Sequence, residues 1–183
     1  IVDNVDKSFQ SPANELKFAA YDGVKSINPL FGYSNSRDGL GVSVSLAKKF
    51  AALNDPRGEQ AFSKWVSWLN HISLEEAIET GAPNGTPEQV QYSYPLSIVN
   101  YASTAPTMLL SYHELMFLKA EALARLGRTE EAKSVLQNAV VAAFANLERS
   151  IQSGIDYAVD VAPNLNLSAD VANEYFTSSV SIK

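Results

Sequence analysis

Cysteine is absent from the 183 residues, which excludes disulfides, thiolate metal sites and cysteine nucleophiles and leaves the redox compartment open. Positive charge is scarce: 14 lysines and arginines stand against 20 aspartates and glutamates, a formal charge of −6. With no basic run to relieve it, that balance opposes phosphate-backbone binding and argues against a nucleic-acid partner. Histidine occurs only as His71 and His113, neither with a second histidine three or four residues away, so no zinc helix and no metal site is expected. No window reaches the about 18 consecutive apolar residues of a membrane helix, and no charged start with an apolar stretch marks a signal peptide. Neither a Gly-x-Ser-x-Gly elbow nor a glycine-rich phosphate loop occurs, so esterase and nucleotide chemistry lack a foothold and no cofactor is expected.

What is present is a hydrophobic content of 46%, enough for one domain, 1–183, with a sizeable core. Caps, periodicity and charge agree best between Ser111 and Leu147. Ser111 with Glu114 has capping-box spacing and opens a helix. From Leu115 to Leu126 the apolar residues wrap most of the circumference, which predicts burial among other helices. Gly127 suits the left-handed conformation that ends a helix, and Thr129 is placed to cap the next, with Glu130 and Glu131 at its positive end. That second helix carries Ala132, Val135, Leu136, Ala139, Val140, Ala143, Phe144 and Leu147, an unbroken i, i+3, i+4 ladder. The series Ala120, Leu123, Gly127, Ala132, Leu136, Ala139 reproduces the spacing of a tetratricopeptide (TPR) helix pair, residues 111–147, although Phe144 stands where that repeat prefers proline. A single hairpin cannot bury its own apolar face, and no second copy is visible in the sequence. The predicted class is mainly α: a TPR-like hairpin, additional helices and long ordered loops.

Ile1 to Lys25 reads as a loop followed by a short helix or strand at Glu15–Tyr21. Residues 26–41 are dense in turn formers yet hold Phe31 and Tyr33, which predicts an ordered loop with exposed rings. Ser43 or Ser45 caps a helix through Leu53, with Val44, Ala47, Phe50, Ala51 and Leu53 inward, and Pro56 breaks it. A helix is expected from Glu59 to Asn70, its Trp65 and Trp68 on one face as core. Ser73 and Glu76 open a short helix to Thr80; residues 81–85 turn; Thr86, Pro87 and Gln89 start another helical turn. Residues 91–106 are read as loop with one short strand. Glu148–Gly154 extends the hairpin's second helix, 155–161 is ambiguous, 164–166 is loop, and Ser168 caps a last helix to Phe176.

The run from Pro106 to Ala122, with its Tyr112-x-Glu114 and Ala120-Glu121-Ala122 elements, resembles the signature helix of the SusD/RagB family, nutrient-binding lipoproteins of the Bacteroidetes outer membrane. Asn54-Asp55-Pro56-Arg57 and Gly81-Ala82-Pro83-Asn84-Gly85 resemble loops of its SusD-like branch, in the same order. The resemblance spans about Pro29 to Phe176 and implies TPR-like helix pairs with long loops, binding of oligosaccharides or other nutrients, and docking onto a SusC-like TonB-dependent transporter. It implies a protein at the cell surface, held to the outer membrane by a lipid anchor that this chain lacks. The chain starts at Ile1 without methionine and is less than half a full member's length, so it is expected to be an internal or C-terminal portion of a longer protein.

Sugar recognition pairs flat rings with amides, carboxylates or guanidinium groups that reach hydroxyls. Two groups of residues have that make-up: Phe31, Tyr33, Asn35, Arg37 and Asp38, and Tyr92, Tyr94 and Tyr101. The alternative is that these rings plug loops onto the core. Glu121 with Arg125, and Asp55 with Arg57, read as local ion pairs or caps, and Asn84-Gly85 as turn residues. No catalytic residue is assigned, and the leading reading is a non-catalytic binding protein. Two rivals stand beside it: a TPR-like adaptor, which needs several stacked pairs, and a helical carbohydrate-active enzyme, which needs two carboxylates facing across a cleft.

Overall fold

The computed structural model describes residues 2–36, 43–63, 83–86, 98–99, 102–155 and 165–179. In chain order these form helix α1 (Val2–Asp6), a 3-10 turn (Pro12–Asn14), strand β1 (Leu16–Phe18), α2 (Pro29–Ser36), α3 (Val44–Ala52) and α4 (Arg57–Ala61). Strands β2 (Phe62–Ser63), β3 (Ile98–Val99) and β4 (Thr107–Leu110) follow, then α5 (Tyr112–Arg125), α6 (Thr129–Ile155) and α7 (Ala169–Ser179). The described residues are mainly helical, as the sequence predicts, with two short antiparallel ribbons, β1–β4 and β2–β3.

Two compact units divide the chain. One comprises Ile1–Ala19, Pro106–Asn146 and Leu167–Lys183; the other comprises Ala20–Ala105 and Leu147–Asn166. In the first, Val5 of α1, Met116 of α5 and Ala139 of α6 form one buried cluster, edged by Tyr112, Leu115 and Val135. Alanines at 120, 132, 139 and 143 are all buried, so the hairpin is packed through small side chains. Phe144, wholly buried, meets Tyr175 of α7 with ring centroids 5.6 Å apart. Gln137 Nε2 donates to Asn173 Oδ1 at 2.8 Å on the polar edge of the same contact region.

Local chemistry explains the hairpin's ends. Ser111 Oγ accepts from the Glu114 amide at 3.2 Å while the Ser111 amide donates to Glu114 Oε2 at 2.8 Å, the reciprocal box that the sequence announces. At the far end Gly127 has φ +77°, its amide donates to Ala124 O at 3.0 Å, and the Arg128 amide reaches back to Leu123 O at 3.0 Å. Those two bonds make a Schellman closure. Thr129 is the first residue of α6 rather than the residue before it; Arg128 precedes it and clasps Glu131 through Nε and Nη2 at 2.7 and 2.6 Å. The extension of α6 beyond Leu147 and the cap of α7 by Ser168, which accepts from Val171 N at 3.4 Å, agree with the sequence.

Several expectations fail. Burial of α5 on all sides does not occur: Leu118 is 52% and Leu126 66% exposed, because its packing partners cover the single stripe of Met116, Ala120 and Leu123. On α3, Ala47 is buried but Ala51 and Leu53 face solvent. Its cap is Ser43, whose Oγ accepts from Leu46 N at 3.3 Å. Residues 2–6 are one helical turn, not loop. Phe62, expected on a helix, lies in β2 paired with Val99 of β3, so helix α4 stops at Ala61. The short helix or strand expected at Glu15–Tyr21, by contrast, is present as strand β1, paired with β4 just before Ser111 (Leu16 to Leu110, Phe18 to Thr107) with an irregularity at Leu16–Lys17. The expected helices through Trp65 and Trp68 and from Ser73, the turn through Pro87 and Gln89, and residues 156–164 lie outside the described residues.

Candidate functional site

The first aromatic group begins on a helix, not on a loop. Asn28 Oδ1 accepts from the amides of Leu30 and Phe31 at 2.8 and 3.3 Å, Asn28 O accepts from Gly32 N at 2.9 Å, and Pro29 occupies the first helical position. An asparagine cap followed by proline is a strong helix start, and it was readable in the Asn28-Pro29 dipeptide despite the turn-rich composition around it. Phe31 is half-buried, so it is not the exposed ring the loop reading expected. Leu30 and Ile27 beside it are 51% and 38% exposed. Ile27 lies across Gly32, where an added Cβ would come within 3.1 Å of Ile27 Cδ1. Tyr33 and Asn35 lie in α2. Arg37, Asp38, Tyr92, Tyr94 and Tyr101 lie outside the described residues.

Asn28 also ties α2 to a distant segment. Its amide donates to Ser103 O at 2.7 Å and its Nδ2 to Ala105 O at 2.8 Å. Ala102, Ser103 and Ala105 are essentially inaccessible, and the Ala102 amide is bonded to Ser150 O of α6 at 3.0 Å. In the same unit Gln60 brackets residue 166, donating to Asn166 O at 3.1 Å and accepting from Asn166 N at 2.7 Å, as a strand neighbour would.

The carboxylates singled out by sequence hold structural posts. Asp55, 2% exposed at its side chain, forks onto Arg57 (Oδ2 to Nη2 2.6 Å, Oδ1 to Nε 3.0 Å) and accepts from the Arg57 amide at 3.0 Å. The expected ion pair forms, and the same carboxylate takes the first amide of α4, as a cap would. Glu121 pairs with Arg125 at 2.6 Å on the exposed face of α5. Asn84 and Gly85 form the turn expected of them, with Gly85 at φ +81° and Thr86 N donating to Pro83 O at 3.2 Å. Asp22, unremarked in the sequence, accepts through Oδ1 from the amides of Val24, Lys25 and Ser26 at 2.8 to 2.9 Å. The Ser26 amide first, then that of Val24, holds its carboxyl below the ordinary aspartate value.

Among the described residues no three His, Asp or Glu side chains gather as a metal ion would need, and no helix is long and apolar enough to cross a membrane. What the geometry does offer is helix α2, capped by Asn28 and tied through it to Ser103 and Ala105, with Phe31 half-buried and Leu30 and Ile27 exposed beside it.

Comparison with known proteins bears on that arrangement. Residues 2–169 match the model of the SusD-like family described as starch-binding and associating with the outer membrane. A solved SusD/RagB family protein of Bacteroides thetaiotaomicron is 39% identical over 97% of this chain, with a TM-score of 0.82. An outer membrane protein of Bacteroides vulgatus assigned to nutrient binding shares the fold at 20% identity over 92% of this chain, TM-score 0.59. The chain spans 38% and 37% of the lengths of those two solved chains. No curated protein matches it. With a family model matched from residue 2 to 169 and a solved member alike along nearly the whole length, this chain belongs to the SusD-like branch of the SusD/RagB family.

Proposed function

We propose that this chain is part of a non-catalytic, surface-exposed binding protein that captures oligosaccharides or other nutrients and passes them to a SusC-like TonB-dependent transporter. The observation that carries the reading is membership of a family of starch-binding, outer-membrane-associated proteins across residues 2–169. The full-length protein would be held at the outer membrane by a lipid anchor. Ligand contacts fall to Phe31, Tyr33, Asn35, Arg37 and Asp38 and to Tyr92, Tyr94 and Tyr101, whose rings and polar tips suit the two faces of a sugar. Among the described carboxylates, Glu15, Asp55 and Glu114 are committed to amides and cations of the chain itself, which suits binding better than hydrolysis.

Calorimetric titration with α-glucans, β-glucans, xylans and host-type glycans, followed by chromatography of the incubated sugars, tests the proposal. Saturable heat with unaltered sugars is expected, and Tyr33→Ala or Tyr94→Ala should weaken binding roughly two- to tenfold, the worth of one ring contact. Shortened sugars would overturn the non-catalytic reading. Absence of heat with every glycan would overturn the oligosaccharide assignment and direct the search to other nutrients.

A further inference from the structure

We propose that Asn28 is the positioning residue of the candidate binding group on α2: it touches no ligand, yet it decides where Phe31 stands. The inference rests on the reading of this chain as a ligand-binding protein and adds to it the residue that controls the first aromatic group. Asn28 is 1% exposed, so direct contact with a ligand is closed to it. Its carboxamide is used at both ends. Oδ1 takes the Leu30 and Phe31 amides, and Nδ2 is given to Ala105 O at 2.8 Å across 77 residues of sequence.

A helix cap alone needs only the first of these. Serine, threonine and aspartate cap as well as asparagine, but none carries an amide donor on the same short side chain. Asparagine at 28 therefore does two jobs, starting α2 and pinning its first turn to the segment 102–105. That segment is itself fixed: the Ala105 amide closes a turn onto Ala102 O at 3.1 Å, and the Ala102 amide is bonded to Ser150 O at 3.0 Å. Its residues 102, 103 and 105 are buried, so the anchor has no freedom to follow a displaced helix. Position errors at the cap pass directly to Phe31, whose own amide is one of the bonds. Binding sites lose affinity when a supporting shell lets the contacting group shift, even with every contacting residue present.

The test compares the chain with Asn28→Ser, which keeps a capping oxygen and deletes the donor to Ala105, and with Asn28→Ala, which deletes both. Three readouts are taken: maltoheptaose affinity by calorimetry, amide exchange at Leu30 and Phe31, and ring-proton shifts of Phe31 by NMR. For Asn28→Ser, retained amide protection, moved Phe31 ring shifts and an affinity lowered about tenfold support the proposal. Asn28→Ala should lose the protection as well, while exchange at Arg128, bonded to Leu123 O in the other unit, stays unchanged. Unaltered ring shifts and unaltered affinity in Asn28→Ser overturn it, since the cap alone would then suffice. Failure of the unsubstituted chain to bind maltoheptaose or any glycan of the wider panel counts against the oligosaccharide reading. The ring shifts then decide the positioning claim by themselves: moved shifts uphold it and unmoved shifts overturn it.

Discussion

Glu15 and Tyr112 lie 97 residues apart in the chain and meet where the Tyr112 amide donates to Glu15 Oε1 at 3.1 Å. The carboxylate, 1% exposed at its side chain, also faces Lys17 Nζ at 3.4 Å. It supplies the first turn of α5 with a second acceptor beside the Ser111–Glu114 box, and it comes from the residue that leads into β1. The helix start and the β1–β4 ribbon are thereby one construction. Glu15→Ala should cost about 1–3 kcal/mol, the range for removing one partner of a buried polar pair, and Glu15→Gln should cost less because an acceptor remains. Chemical denaturation of the two variants checks the ranking; equal losses would show that the carbonyl oxygen at this site is idle.

The capping box makes a pH prediction. Hydrogen bonds from the Ser111 hydroxyl and then from its amide hold the Glu114 carboxyl below the ordinary glutamate value. A depressed carboxyl stabilises the fold fully above its unfolded value and loses that contribution as pH falls through the folded value. Stability of the chain should therefore decline below about pH 4.3 in part through this group, and Glu114→Gln should flatten that part of the profile. Ser111→Ala removes the acceptor of the Glu114 amide and should cost about 0.5–2 kcal/mol at neutral pH. Denaturation midpoints across pH 3 to 7, approximately the range in which carboxyls titrate, would expose a parallel decline in wild type and Glu114→Gln if the box is not responsible.

Gly127 isolates backbone strain from packing. Its φ of +77° lies where L side chains are unfavourable, and a Cβ built there meets nothing within 4 Å. Gly127→Ala should lower stability by about 1 kcal/mol through conformation alone, with Gly127→Asn recovering part of it. A loss of several times that size would mean that the hairpin turn packs against something in solution.

Ser103 offers the opposite case. Its hydroxyl is buried and has no hydrogen-bond partner among the described residues, although its carbonyl holds Asn28. Burying an unpaired hydroxyl costs free energy, so Ser103→Ala should be neutral or stabilise by up to about 2 kcal/mol. A thermal melt of this variant below that of the parent would reveal a partner for the hydroxyl that the fold conceals.

Where a structural cause lay within a few residues, it was legible. Ser111 to Glu114, Ala124 to Gly127, Ser168 to Val171 and Asp55 to Arg57 are contacts of two or three positions, and side-chain type with spacing is enough to foresee them. The same locality misled at residues 29–36, where the density of turn formers hid the Asn28-Pro29 start, and at Phe62, where helical spacing suggested a helix and a strand formed. Two-residue strands such as β2 and β3 carry no period of their own, since their pairing is decided by each other.

The sequence by itself determined the mainly helical class, the Ser111–Glu114 capping box and the Gly127 turn, and the family, because caps, glycine conformation and apolar period act through neighbours along the chain. Only the tertiary structure decided which face of α5 is covered, that Glu15 serves Tyr112, that Gln60 brackets Asn166, and that Asn28 fastens α2 to Ala105. Those relationships span 77 to 106 residues, and a hydrogen bond between such positions has no spacing in the sequence to mark it. It exists because the fold brings the donor and acceptor together; Glu15 and Asn28 are buried, where a polar group without such a bond costs free energy.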